Sequence, residues 1–187
     1  ILGLLIKRVK MAQKIDKVIV ATSANPSDDL VEVIATNSKV KAYRGSLEDV
    51  LDRYYQSAVK SEADIVIRVT GDCPLIDPQL IDTLVDEFEG RELDYLSNTL
   101  DPMYPDGQDI EIFSFEALKK AWEKADLNSE REHVTPYLYK NSSYYGQSLF
   151  KADNFGNLSG DYSNIRMTVY YESDLKIIQL LVEYGGT

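Results

Sequence analysis

The sequence contains one cysteine, one histidine and no long hydrophobic run. Because Cys73 has no second cysteine to pair with, an internal disulfide is excluded and a reducing cytoplasm is the expected location. A zinc site built from histidine and cysteine ligands is also excluded, because one histidine and one cysteine are too few to form it. No apolar stretch approaches the roughly 20 residues that span a bilayer, so we expect no membrane association.

Positive charge is also scarce. The 187 residues include 20 lysines and arginines against 31 aspartates and glutamates, which gives a formal net charge of -11. An acidic surface repels phosphate backbones, and no basic stripe is present, so a nucleic-acid partner is not predicted. A small nucleotide remains compatible with this charge, because local dipoles and a metal ion can hold phosphates.

Helical and strand patterns alternate along the whole chain. Apolar runs predict strands at 17–22, 40–43, 64–69, 93–97, 108–113, 145–150 and 165–169. Helical spacing and capping residues predict helices at 2–9, after Asn25, from Ser46, at 78–90, 115–124, 131–140 and after 170. Strands separated by helices of this length indicate βαβ units, hence one α/β domain over residues 1–187 with a largely parallel sheet.

The first element is a helix that begins without a cap. A nucleotide-binding α/β domain normally begins with a strand and a phosphate-binding turn. We therefore interpret the sequence as lacking an amino-terminal strand and nucleotide-binding loop; the alternative is a domain that starts with a helix.

Asp72 is the strongest candidate for a chemical role. It follows the apolar run 64–69 and lies between Gly71 and Cys73-Pro74, where open α/β sheets place their ligands. An aspartate there can hold Mg²⁺ while substrate phosphates complete the coordination shell. The alternative is a turn aspartate that accepts hydrogen bonds from its own backbone.

Two further carboxylates, Asp109 and Glu111, are spaced two residues apart on a predicted strand. This spacing points both to one face while Ile110 and Ile112 enter the core. Carboxylates at a strand end can accept hydrogen bonds from sugar hydroxyls; the alternative is an ordinary solvated face.

Arg44 and His133 are weaker candidates. Arg44 immediately precedes a predicted helix and is placed either to reach a phosphate or base, or to be an exposed arginine. His133, the only histidine, lies in Arg131-Glu132-His133, and a lone histidine is more often structural than catalytic.

Taken together, these segments resemble the cytidylyltransferase family that includes spore-coat polysaccharide biosynthesis proteins and, more distantly, CMP-Kdo and acylneuraminate cytidylyltransferases. The matching stretches occur in family order and cover nearly the whole chain: IDKVIVATS (15–23), YRGSLEDVLDRY (43–54), IRVTGDCPLIDP (67–78), YPDGQDIEIFSFEALKKAW (104–122), REHVTPYLY (131–139) and IRMTV (165–169). The resemblance implies a three-layer α/β/α, Rossmann-like nucleotidyltransferase fold with a mostly parallel mixed sheet.

The resemblance also implies an activity. Such enzymes join the hydroxyl of a sugar or sugar acid to the α-phosphate of CTP and release pyrophosphate, which implies Mg²⁺ bound at Asp72. It further suggests sugar-facing roles for Asp109, Glu111, Arg131, Glu132 and His133. Family members commonly dimerise, and the tyrosine-rich region 137–150 is our candidate interface for a homodimer.

The chain departs from the family pattern at two places. The Gly- and Arg-bearing loop that cradles the triphosphate in the family has no counterpart. After IRMTV, where the family has a metal-binding aspartate, this sequence has Tyr170. Asp174 is the nearest replacement as a second metal ligand, although a carboxylate in the first turn of a helix is stabilising in any case. We therefore expect this chain to be inactive alone.

Two other functions remain open at this stage. A degenerate homologue would bind nucleotide or a partner without turnover, an interpretation that Tyr170 motivates. A nucleotide-sugar-dependent glycosyltransferase is less favoured, because no Asp-x-Asp pair follows the strand at 64–69.

Overall fold

The computed structural model describes residues 1–185, which form six β-strands and eight α-helices. The strands are β1 (Ile19–Ser23), β2 (Lys41–Gly45), β3 (Ile65–Arg68), β4 (Tyr95–Ser97), β5 (Glu111–Ser114) and β6 (Ala152–Asn154). The helices are α1 (Leu2–Val9), α2 (Asp29–Asn37), α3 (Val50–Ser61), α4 (Pro78–Gly90), α5 (Phe115–Lys124), α6 (Asn128–His133), α7 (Pro136–Lys140) and α8 (Glu172–Gly185). Within this range, no helix combines the length and the hydrophobicity that crossing a bilayer requires.

The strands form a two-stranded sheet and a four-stranded mixed sheet, and in the mixed sheet one strand opposes the others. β1 and β2 pair in parallel, and a second set is ordered β3-β5-β4-β6. β5 is antiparallel to β3 and β4, whereas β4 and β6 are parallel. Lys17 Nζ donates to Ser61 O at 2.8 Å, which joins the segment before β1 to the end of α3. The predicted mixed, mostly parallel sheet is therefore confirmed.

Helices cover both faces of this sheet, as a three-layer α/β/α fold requires. Leu96 and Ile112 pack toward α1 and α4, whereas their neighbours Tyr95 and Phe113 pack toward α3, α5 and α7. All four side chains are fully buried. The alternation follows from the two-residue period of a strand, and it shows that β4 and β5 are interior strands.

Three helix starts are fixed by capping side chains, of which the sequence indicates Asn25 and Asp77. Asn25 Oδ1 accepts from Ser27 N at 3.0 Å, in the short 3₁₀ helix 26–28 that leads into α2. Asp77 Oδ1 accepts from Gln79 N at the start of α4, and Ser114 Oγ accepts from Ala117 N at the start of α5. Each cap satisfies an otherwise unpaired N–H group.

The predicted helix from Ser46 begins later, at Val50. The Asp49 carboxylate caps it by accepting from Asp52 N at 2.9 Å. Ser46 Oγ accepts from Asp49 N and so stabilises the turn that precedes the helix.

The prediction of one continuous helix over 131–140 is wrong. It is two short helices, α6 and α7, separated at Val134, which has a positive φ of 72°. Pro136 begins α7, where its missing N–H group costs nothing, and it would have broken a continuous helix.

Two predicted strands are not formed. Within 145–150 the chain turns instead, because Tyr145 N donates to Ser142 O and Gly146 adopts a φ of 74°; the strand comes later, as β6. The segment 165–169 makes a single bridge, between Asp106 and Arg166, and no continuous strand.

The two-sided core makes β5 sensitive to truncation. We expect Phe113→Ala to lower the free energy of unfolding by about 3–5 kcal/mol, since it removes a fully buried aromatic side chain. The matched control is Leu158→Ala, where the side chain is fully exposed and the change should stay within about 0.5 kcal/mol. Urea unfolding of both variants checks this, and equal effects would contradict it.

Candidate active site

Two loops meet at the carboxyl end of β3. One contains Asp72, and the other runs into β5 and contains Asp109. Gln108 joins them, since its Nε2 donates to Leu75 O and its Oε1 accepts from Asp77 N, both at 2.8 Å. The Gln108 side chain is buried, so this amide holds the Asp72 loop against the strand that carries the other carboxylates.

A third segment, 165–169, closes over the same loops. Met167 N donates to Asp106 O at 2.7 Å, and Val169 N donates to Asp72 O at 3.0 Å. Gly107 permits this approach: its φ is 106°, and a Cβ atom there would lie 2.9 Å from the backbone of Met167. The segment thereby brings Tyr170 beside Asp72.

A small polar cleft of about 260 Å³ lies next to these loops. We call it the polar cleft; it is lined by Arg68, Thr70, Thr99, Asp109, Glu111, His133, Thr135, Pro136 and Tyr139. Hydroxyl, carboxylate and imidazole groups dominate this lining. Such groups can donate to and accept from a substrate rich in hydroxyls.

Glu111 lines the polar cleft, and two neighbouring side chains hold its carboxylate. It stands opposite Arg68 in the antiparallel register and forms an ion pair with it, and it also accepts from Tyr95 Oη at 2.7 Å. Its side chain is only 8% exposed. The alternative of a solvated strand face is therefore wrong for Glu111, while Ile110 and Ile112 are in the core as predicted.

Asp109 has an unusual protonation equilibrium. Burial, followed by the nearby charges of Asp106, Asp72 and Glu111, raises the pKa of its carboxyl group to about 6. Desolvation and like charges both disfavour the ionised form. A carboxyl group with a pKa near neutrality can exchange a proton with substrate at physiological pH.

Asp72 is half-buried, and no backbone amide in the described part of the chain donates to its carboxylate. The Cys73 thiol donates to it, with Sγ 3.7 Å from Oδ1, and the Tyr170 phenol also forms a side-chain hydrogen bond with it. The interpretation of a turn aspartate bonded to its own backbone is therefore wrong. The charge of Asp72 raises the pKa of the Tyr170 phenol, which places the two groups close together.

Cys73 itself is inert in this arrangement. Its side chain is fully buried, and its sulfur lies 3.2 Å from Thr70 Oγ1. Burial, together with the charges of Asp72 and Asp109, raises the pKa of the thiol to about 12. A thiol protonated at neutral pH is a poor nucleophile.

Both candidate arginines form internal ion pairs and do not line the polar cleft. Arg131 joins α6 to α3 through the Asp49 carboxylate and also donates to Trp122 O at 2.7 Å. Arg44 forms ion pairs with Asp29 and Glu32. Their guanidinium groups hold helices in place, and the structure does not bring them together with Asp72.

Asp174 is likewise engaged. Its two oxygens accept from the Arg166 guanidinium at 2.7 and 2.9 Å, and Oδ2 also accepts from the backbone N–H groups of Tyr170 and Tyr171. These bonds hold the pKa of Asp174 well below its usual range. The placement in the first turn of the last helix is confirmed, whereas the role as a metal ligand stays a prediction. Glu132 is exposed and does not line the polar cleft.

Sequence reasoning missed Arg68 and Gln108. A signal for Arg68 was present, because a charged residue that ends an otherwise apolar run is either exposed or paired. No local pattern indicates Gln108, since its partners lie 31 and 33 residues away.

The residues around Asp72 fit a metal ion that arrives with its substrate. Among residues 1–185, no group of three or more histidine, cysteine, aspartate or glutamate side chains is arranged to hold a metal ion. Mg²⁺ needs only one or two carboxylates when phosphates and water supply the other ligands. Asp72, which has no cationic partner among these described residues, can provide such a ligand.

Comparison with known proteins decides the family. Residues 1–181 match the family described as cytidylyltransferase. The chain belongs to the cytidylyltransferase family. An uncharacterized protein of Methanocaldococcus jannaschii is 34% identical to this cytidylyltransferase over 177 residues, covering 95% of the chain and 70% of the relative. The spore coat polysaccharide biosynthesis protein SpsF of Bacillus subtilis is 26% identical over 198 residues, covering 100% of the chain and 77% of that protein.

Solved structures agree with the fold of this cytidylyltransferase. A cytidylyltransferase from Leptospira borgpetersenii superposes with a TM-score of 0.90 at 34% identity, covering 98% of the chain and 75% of that structure. CMP:2-keto-3-deoxy-manno-octonic acid synthetase, solved with CTP, superposes with a TM-score of 0.68 at 17% identity, covering 98% and 88%. The predicted nucleotidyltransferase fold is confirmed.

The Gln108 amide should be structurally important. We expect Gln108→Leu to destabilise this cytidylyltransferase by about 2 kcal/mol or more, because it leaves the Leu75 carbonyl and the Asp77 N–H group unsatisfied. Gln147→Leu, on an exposed turn, is the control and should change stability by less than about 0.5 kcal/mol. Thermal unfolding compares the two, and a neutral Gln108→Leu would contradict this role for the amide.

The raised pKa of Asp109 gives a pH dependence of known sign. The folded state binds the proton more tightly than the unfolded state, so this stabilisation is complete near pH 4 and is lost as pH rises through about 6. We compare the free energy of unfolding of Asp109→Asn with that of the parent protein, in buffer that contains EDTA. The difference, variant minus parent, should be about 1 kcal/mol larger at pH 7.5 than at pH 4, a value that already allows for solvent screening. Urea unfolding at both pH values checks this; a pH-independent difference would contradict the shift.

Proposed function

We propose that this cytidylyltransferase transfers CMP from CTP to a hydroxyl group of a sugar or sugar acid, with release of pyrophosphate. The observation that carries the proposal is the pairing of an available carboxylate, Asp72, with the titratable Asp109 at the edge of the polar cleft. The relatives support it, since one is named as a spore coat polysaccharide biosynthesis protein and one is a synthetase solved with CTP. We assign the chain on this basis to surface or spore-coat polysaccharide biosynthesis.

The polar cleft provides the sugar site in this proposal. The hydroxyl groups of Thr70, Thr99 and Tyr139 and the imidazole of His133 line it and can exchange hydrogen bonds with sugar hydroxyls. Glu111 is held by Arg68 and Tyr95, so it orients the site without moving. Such preorganisation lowers the cost of ordering the substrate.

The chemical step needs a group that takes one proton. The sugar hydroxyl oxygen forms a bond to the α-phosphorus of CTP while the bond from that phosphorus to pyrophosphate breaks. The hydroxyl proton passes to the Asp109 carboxylate, whose pKa of about 6 leaves it mostly ionised at neutral pH and still basic enough to accept.

Asp72 is the residue that would hold Mg²⁺. When bound, the ion would neutralise charge on the phosphates of CTP, which is the main requirement of phosphoryl transfer. Asp174 is occupied by Arg166 and two backbone N–H groups, so Asp72 is the favoured protein ligand among the two candidates.

A second candidate function follows from Tyr170. Its phenol lies near Asp72, at the position where the resemblance leads one to expect a metal-binding aspartate. A tyrosine there suits a homologue that binds a nucleotide without metal and without turnover.

CTP binding separates the two functions. In calorimetry with Mg²⁺, Asp72→Asn should weaken CTP binding by at least roughly tenfold, the scale on which even outer-shell groups change metal affinity. Asp126→Asn makes the same chemical change at an exposed carboxylate and should leave binding unchanged.

Two results would decide against the enzyme. Binding of CTP or CMP that needs no Mg²⁺ and ignores Asp72→Asn favours the non-catalytic homologue. No binding at all contradicts both candidates. Pyrophosphate release with a panel of neutral and acidic sugars then tests turnover, and release that requires both CTP and a sugar supports the enzyme.

A further inference from the structure

The backbone is strained at one point beside the polar cleft. Val134 has a φ of 72° and a ψ of -59°, a combination outside the left-handed helical region and unfavourable for a β-branched side chain. Thr135 N donates to His133 O at 2.9 Å. Residues 133–135 therefore form a γ-turn of the rare and strained kind.

The other non-glycine residues with positive φ have an ordinary explanation. Among residues 1–185 they are Lys39, Glu62 and Glu92, with φ of 57°, 54° and 49°. Each lies within two residues of a helix end, where a left-handed residue is a common way to finish a helix. A turn that only joined α6 to α7 could have glycine in place of Val134, without strain.

The γ-turn brings its two outer residues to the same cleft. His133 and Thr135 both line the polar cleft. Val134 lies between them and is fully buried, in a core cluster with Leu118 and Leu138. In a continuous helix, residues two positions apart point about 200° away from each other. The sharp turn therefore allows both neighbours of a buried valine to face the cleft.

Contacts on both sides hold the turn in this conformation. On the α6 side, Arg131 bonds to the Asp49 carboxylate of the α3 cap, and Val134 N donates to Glu130 O at 3.1 Å. On the α7 side, Pro136 is buried and begins the helix. A strained backbone persists only where the surrounding structure imposes it, and such positions cluster at functional sites.

We propose that Val134 is a positioning residue of the polar cleft, whose strained turn holds the His133 and Thr135 side chains together so that they meet the sugar in a fixed arrangement. The identity of the ligand as a sugar rests on the proposed function. Fixing both side chains before the sugar arrives lowers the cost of ordering them on binding. Burial of the apolar Val134 side chain stabilises the turn and offsets the strain of its backbone.

The single histidine makes the proposal measurable without substrate. In untagged protein labelled with ¹⁵N-histidine, every imidazole signal comes from His133, because the chain has no other histidine. The parent protein should give one sharp set of signals. In Val134→Gly the backbone can leave the strained conformation, so the signals should broaden or split, and in Val134→Ala they should do so less. The Thr135 amide proton should exchange about tenfold faster in Val134→Gly, as expected for local opening.

Val85→Ala is the matched control for Val134→Ala. It makes the same change at another buried valine, which belongs to α4 and to the other core cluster. It should lower stability as well but leave the His133 signals unchanged. Circular dichroism verifies that the variants fold, and Val134→Ala carries the test if Val134→Gly does not fold.

Sugar binding provides the functional readout. D-glucuronic acid and D-mannose are titrated into the labelled proteins, and the dissociation constant is read from the shift of the His133 signals. A sugar that binds the parent protein should bind Val134→Gly about tenfold more weakly, the scale of one lost hydrogen bond. Its affinity for Val85→Ala should equal that for the parent, because loss of core packing alone does not disturb the cleft.

Three outcomes would overturn the proposal. They are unchanged His133 signals in folded Val134→Gly and Val134→Ala, equal sugar affinity in the parent protein and Val134→Gly, and the same broadening in Val85→Ala. If neither sugar binds the parent protein, the proposed function fails at its sugar site, and the His133 signals still decide whether Val134 positions the cleft.

Discussion

The buried amide of Gln108 is the constraint on which the candidate site depends. The loop after β3 and the approach to β5 are far apart in sequence, and this one side chain bonds to Leu75 and Asp77, which follow Asp72 in that loop. Asn98 extends the arrangement, since it donates to Gln108 O and accepts from Ile110 N. An all-amide network of this kind carries no net charge, so it can be buried beside three aspartates without adding to their repulsion.

The four residues of β5 contribute both to the hydrophobic core and to the candidate active site. Its apolar members Ile112 and Phe113 enter opposite cores, while Glu111 faces the polar cleft in an ion pair with Arg68. A glutamate so deeply buried is tolerable because a guanidinium group and a tyrosine hydroxyl satisfy it. The strand that runs against the others thus fixes the position of the acidic side chains relative to β3.

The sequence predicted the regular elements well and the long-range pairings poorly. Apolar periodicity and capping residues located α4 and α5 to the residue, because those signals lie within a few residues of each other. β6 was missed since Ala152-Asp153-Asn154 has no strand-like composition and is held by pairing with β4. Arg131 was assigned to substrate because nothing local reveals Asp49, its partner 82 positions away. Asp72 could be selected from its place after an apolar strand, whereas the neighbourhood of Asp109 required the fold.

The lone thiol has a practical consequence. Cys73 lies inside the loop that Gln108 holds, and neither solvent nor reagent reaches it while that loop is closed. Alkylation at this position therefore reports each opening of the loop, with no background from any other cysteine. The rate of thiol labelling thus measures how often the loop that contains Asp72 opens. A ligand that binds at Asp72 and keeps the loop closed would slow the labelling.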